Sequence, residues 1–186
     1  MSDIAAAYLI ESIKCFRAYK KLGEGALAQV RDDEWSRMID PDSNSVALVV
    51  KHMAGNMRSR WTDFLTTDGE KPDRNRDQEF IQDETVNRER VMQWWEAGWK
   101  YVFHAMENLK PEDLDAKVYI RGQEHTVLQA INRQMAHYSY HVGQIVLLAK
   151  HYRGSDWKSL SIPKGQSAKV GVAAEKAWQA ARDTKS

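Results

Sequence analysis

The sequence is poor in residues that mark secreted, nucleic-acid-binding or membrane-spanning chains. Cysteine occurs once, at Cys15, so no disulfide can close within the chain, and a cytoplasmic, reducing location is expected. Proline occurs four times, at Pro41, Pro72, Pro111 and Pro163. A proline inside a helix costs about 3 kcal/mol, so the long proline-free stretches between them leave room for helices. Neither sign of charge dominates, with 27 Lys and Arg against 26 Asp and Glu. A nucleic-acid partner calls for a basic excess, and none is expected here. Long apolar runs are missing as well. The longest, VALVV at 46–50 and IVLLA at 145–149, fall far short of the ~20 residues of a membrane span, so no membrane partner is expected. The first residues carry Asp3 and lack a basic segment followed by an apolar one, so no secretory leader is expected. Glycine-rich phosphate loops and a GxSxG elbow are absent, which leaves nucleotide-dependent and serine-hydrolase chemistry without support.

What is present favours helix. The chain has 186 residues, of which 42% are hydrophobic, and a single globular domain is the expectation. Ala, Leu, Met, Gln, Glu, Lys and Arg are common and β-branched residues sparse between the prolines. Tyr8, Cys15, Tyr19, Leu22, Ala26 and Val30 define a first helical face, with Gly23 and Gly25 expected to end or bend the helix. A second helix is expected to begin near Asp42 or Ser43, whose side chains can accept first-turn N–H groups. It runs to about Thr66 and carries Leu48, Val49, His52, Met53, Asn56 and Ser59. Residues 67–76 form a polar loop containing Gly and Pro. A third helix is expected from about Asp77 to Leu109, burying Phe80, Val91, Trp94, Trp95, Val102 and Met106. Residues 117–125 alternate around Arg121-Gly122 and read as a small hairpin or extended link. Thr126 opens TVLQ, a capping box with Gln129, and a fourth helix continues to about Tyr152 before Gly154. Residues 161–167 are expected to be extended and about 170–182 helical. The predicted class is all-α, with four main helices and long crossover connections.

Six histidines are present, and two of them, His137 and His141, are one helical turn apart. Both imidazoles therefore project from one face and can reach one cation. That face reads Ala130, Gln134, His137, His141, Ile145 and Leu148, apolar at its ends and polar in the middle, which places the pair inside the fold. An HxxxH pair alone is often a hydrogen-bonded core pair. The zinc-protease pattern needs Glu after the first His, and Tyr138 stands there. His52, with Asn56 one turn on, is the best third candidate, although spacing alone does not single it out. His104, His125 and His151 read as surface or capping residues.

The blocks VVKHMAGNMRSRWTDF at 49–64, DGEKP at 68–72, RNRDQEF at 74–80 and HYSYHVGQ at 137–144 resemble the DinB/YfiT-like superfamily of helical metalloenzymes, in a branch of uncharacterised bacterial proteins. The resemblance covers about residues 1–165, a DinB-like metal-binding bundle, and leaves 166–186 as a partly helical tail. It implies a four-helix bundle and a three-histidine site in which His52, His137 and His141 hold one divalent metal. It also implies homodimers, and relatives that join low-molecular-weight thiols to electrophiles.

Three neutral imidazoles leave at least one coordination position open, for water or for a thiolate, and Zn, Ni or Fe could occupy such a site. The expected function is a metal-dependent hydrolase or low-molecular-weight thiol transferase acting on a small molecule. The alternative is a non-catalytic metal- or ligand-binding helical module, and a third reading is a structural metal clip. The segment Asp68–Phe80 reads as a solvated loop in which Asn75 or Asp77 caps the next helix. In its functional reading Arg74 or Arg76 recognises an anionic substrate group. Trp94, Trp95 and Trp99 read as core or dimer packing, and Cys15 as a small buried hydrophobe.

Overall fold

The computed structural model describes residues 2–171, and the chain divides into two compact units, 1–154 and 155–186. The first unit is mainly α-helical. Its four long helices are α1 (Ser2–Leu27), α2 (Val46–Trp61), α3 (Arg88–Asn108) and α4 (Val127–Arg153). α2 packs along α3 and α1 along α4, while α2 also meets α4 and α1 meets α3. Before α4 comes an antiparallel hairpin of β1 (Lys117–Ile120) and β2 (Gln123–Thr126), with Val118 opposite His125. Its two-residue turn places Arg121 at φ 56° and Gly122 at φ 71°. Two successive positive φ values match the right-handed strand twist, and Gly122 meets that demand without steric cost.

The helix ends are set by side chains that capture backbone groups. α4 begins with the capping box expected from TVLQ: Thr126 accepts from Gln129 N–H at 3.1 Å, and Gln129 accepts from Thr126 N–H at 2.9 Å. It ends at Gly154 with φ 55°. α2 begins later than Asp42 or Ser43. Ser43 Oγ is engaged upstream, accepting from the N–H groups of Ile39 and Asp40 at 3.0 and 3.1 Å, and Ser45 is the cap instead. α2 also stops at Trp61, short of Thr66, because Asp63 adopts φ 47°. α3 starts at Arg88, not Asp77. Residues 77–80 form a separate 3₁₀ turn, Asp83 then holds the N–H and hydroxyl of Thr85, and Asn87 caps the new helix by accepting from Arg90 N–H.

The core also corrects the first helical face. α1 runs through Gly23 and Gly25 without ending, and it buries Leu9, Ser12, Phe16, Ala26 and Leu27. Tyr8, Cys15 and Tyr19 are half-buried, and Leu22 is exposed. Gly23 marks a close approach: an added Cβ would lie 2.4 Å from the Trp95 indole. Phe16 sits among Trp61, Trp99 and Tyr138, with ring centroids 5.8, 6.4 and 5.9 Å away. These rings fill the centre between the helices. Trp95 and Trp99 are buried, whereas Trp94 and Phe80 are only half-buried.

In the second unit, residues 163–166 close a turn, where extended chain was expected, with Gln166 N–H donating to Pro163 C=O. Helix begins at 167, and the remainder of the expected helix at 170–182 lies outside the described residues. Among the described residues, no helix is long and apolar enough to cross a membrane.

Candidate metal centre

His52 lies in the second turn of α2, and His137 and His141 lie one turn apart in the middle of α4. The contact between α2 and α4 brings the three together, so that one nitrogen from each falls within 4.8 Å of the others. His137 Nε2 and His141 Nε2 are 3.0 Å apart. The His52 ring centroid is 5.5 Å from that of His137 and 4.9 Å from that of His141. His104 and His151 are exposed, and His125 lies on β2 with Nδ1 3.0 Å from Gln123 C=O. None of these three joins the cluster.

Two of the imidazoles are oriented through their far nitrogen. His52 Nδ1–H donates to Glu79 Oε2 at 2.8 Å, and His141 Nδ1–H donates to Gln144 Oε1 at 2.8 Å. Each bond fixes the tautomer with the lone pair on Nε2, the atom that faces the cluster. Burial, reinforced by neighbouring positive groups beginning with His141, lowers the pKa of His137 to about 3. Burial likewise lowers that of His141 to about 4, against the bond it donates to Gln144. Both rings are therefore neutral at pH 7, the state in which imidazole ligates metal. Lone pairs 3.0 Å apart repel unless a cation or proton stands between them. Ligands of one ion at bonds of about 2.1 Å lie ~3.0 Å apart in octahedral and ~3.4 Å apart in tetrahedral geometry, so this spacing suits a shared cation. The donor set thus fits a divalent metal.

The segment Asp68–Phe80 is more than a solvated loop. Glu79, 7% exposed, reaches into the fold behind His52. Arg74, with a side chain 2% exposed, grips both Glu79 oxygens, Nε to Oε1 at 2.8 Å and Nη2 to Oε2 at 2.9 Å, and also donates to Glu70 at 3.3 Å. Burial alone would raise the Glu79 pKa, but the bonds from His52 and Arg74 outweigh it and hold the carboxyl below its usual range. The loop is anchored by Gly69 C=O, which accepts from Ser59 Oγ at 2.7 Å and from the Arg60 guanidinium. Asp68 fastens it to the hairpin by accepting from Arg121 N–H and Gly122 N–H at 2.9 and 2.7 Å. Phe80 lies over His52 with centroids 4.8 Å apart. Asn75 Oδ1 accepts from Gln78 N–H beside the 3₁₀ turn, and α3 is capped by Asn87, not by Asn75 or Asp77.

Glu79, Arg74 and Gln144 are residues that sequence reading did not assign to the centre. Gln144 had a signal, standing three residues after His141. Glu79 had none, because it lies 27 positions from His52, beyond the end of α2 and across the loop that follows it. Below the histidines opens a cavity of about 240 Å³ whose walls include His52, His137, Asn56 and Gln134. Asn56 is tied to the core by accepting from Tyr138 OH, which itself accepts from Trp61 Nε1–H.

A mainly-α fold with a three-histidine cluster at the head of a polar cavity defines the class of this protein. The chain belongs to the family described as Protein of unknown function (DUF1572), whose model matches residues 3–166. No curated protein and no solved structure matches it.

Proposed function

We propose that this protein is a metal-dependent enzyme of DinB-like four-helix-bundle type, acting on a small molecule by hydrolysis or by transfer of a low-molecular-weight thiol. The observation that carries this reading is the convergence of three imidazoles, His52, His137 and His141, two of which, His52 and His137, line a cavity large enough for part of a substrate. A structural clip is normally closed by a fourth protein ligand, and no Cys, Asp, Glu or further His completes the cluster among the described residues.

When bound, Zn, Ni or Fe would supply a Lewis acid with positions open to water or a thiol. The chain's own residues do the rest. Glu79 and Gln144 hold the His52 and His141 rings by Nδ1–H, and Arg74 keeps Glu79 ionised. Asn56 and Gln134 give the cavity wall polar groups for a substrate. The aromatic centre behind them, Phe16, Trp99 and Tyr138, closes that side to water. The reading extends to a homodimer in the cytoplasm, where the single Cys15 meets no oxidising pressure.

The test combines elemental analysis of purified protein with a screen of activated esters, amides and thiol–electrophile pairs. Stoichiometric metal with turnover abolished in His52→Ala supports the enzyme. Stoichiometric metal whose removal unfolds the protein, without turnover, replaces it with the structural clip.

A further inference from the structure

The cavity beneath the histidines is unusually cationic for its size. Arg60, Arg74, Arg76, Arg121 and Arg133 all line its volume of about 240 Å³. Two carboxylates compensate part of this charge. Glu70 pairs with Arg60, Arg74 and Arg121, and Glu79 pairs with Arg74. Arg76 and Arg133 have no carboxylate partner among the described residues, and both are exposed. Arg76 lies over the Phe80 ring at 5.1 Å, which holds it near the cavity without neutralising it. Arg133 sits one turn before His137 on α4, so the two share a helix face. Independently of charge, Gln134 is 3% exposed and lines the cavity, yet its Oε1 has no hydrogen-bond partner among the described residues. A buried amide oxygen without a partner costs free energy, unless a ligand donates to it.

We propose that this cavity binds the anionic end of a small molecule, a carboxylate or phosphate, between Arg76 and Arg133, with Arg121 behind them and Gln134 accepting a hydroxyl or amine of the same ligand. The inference rests on the enzyme reading for its account of the ligand as substrate. It assigns that substrate's class: a small organic anion whose far end reaches the histidines. Guanidinium groups suit this task because their planar forks match carboxylate and phosphate oxygens. Arg60 and Arg74 are already committed to Gly69, Glu70 and Glu79, so they set the field and leave direct contact to the two free groups.

Inorganic phosphate and malonate, titrated calorimetrically into the metal-loaded protein, test the proposal. Saturable binding of either is expected, and the tighter probe indicates the phosphate or the carboxylate class. Arg76→Ala and Arg133→Ala should each weaken it about tenfold, and the pair more, with metal content unchanged. Arg17→Ala, outside the cavity lining, should bind like the parent. His52→Ala should lose metal yet keep anion binding that still falls on adding Arg133→Ala. Absence of saturable binding up to about 10 mM overturns the proposal, as does equal binding by the double arginine variant. Binding lost in His52→Ala but retained in the double variant makes the anion a metal ligand and overturns it too. Failure of the enzyme reading looks different: a protein without metal or turnover whose anion binding still depends on Arg76 and Arg133.

Discussion

Removing Glu79 tests whether the loop segment supports the histidine centre. In Glu79→Ala, His52 loses the acceptor of its Nδ1–H, and Arg74 loses two of its three bonds. Arg74 then remains buried with only Glu70, 3.3 Å away, as a partner. Breaking a buried ion pair from one side costs about 3–5 kcal/mol, and the surviving Glu70 contact places the expected loss near the lower end, about 3 kcal/mol. Glu79→Gln keeps the shape. An amide oxygen at the Oε2 position still receives His52 and one arm of Arg74, so one charge-assisted bond is lost and the expected cost is about 2 kcal/mol. Urea unfolding of the metal-free proteins, followed by circular dichroism, reads both numbers. Metal affinity, measured by chelator competition, should fall about 10- to 100-fold in Glu79→Ala, because His52 is no longer held in its ligating tautomer. It should fall much less in Glu79→Gln. If Glu79→Ala unfolds within about 0.5 kcal/mol of the parent and binds metal equally well, the support assigned to Glu79 and Arg74 is wrong.

Four further outcomes follow from the same geometry. His52→Ala should release the metal while the chain stays folded, and His104→Ala or His151→Ala should leave it in place; full metal occupancy in His52→Ala refutes the triad. The metal-free protein should lose stability as pH falls from about 6.5, the unfolded value, towards the folded values of about 4 for His141 and about 3 for His137. In that window the unfolded chain binds more protons, so the slope is about 1.4 kcal/mol per pH unit for each histidine, and unfolding free energies that stay flat between pH 7 and 5 contradict it. Gly55→Ala should lower metal affinity through Glu79, since the added Cβ would lie 2.1 Å from Glu79 Oε1, and unchanged affinity would show that the carboxylate relocates freely. Ser45→Ala should cost about 1 kcal/mol by removing the buried cap of Leu48 N–H, and an unshifted urea midpoint would refute that role.

The sequence determined by itself what depends on neighbours a few positions away. The capping box of Thr126 and Gln129, the Arg121-Gly122 turn, the stop at Gly154 and the shared face of His137 and His141 are local arrangements, and their geometry follows from helix and turn periodicity. The cap of α2 was expected at Asp42 or Ser43, but Ser43 is engaged by the N–H groups of Ile39 and Asp40, and Ser45, which also reaches Gln82 across the fold, takes the role. His52 entered the site through resemblance, because nothing in its own helix distinguishes a ligand from a core histidine. Tertiary structure also decided that α1 buries Phe16 in place of Cys15, a small rotation fixed by fitting one ring among Trp61, Trp99 and Tyr138. Above all it decided the role of Asp68–Phe80. A run of mixed charge is indistinguishable from a solvated loop until the chain folds back over α2. Only then does burial make Glu79, Arg74 and His52 satisfy one another, because charges removed from water must find partners.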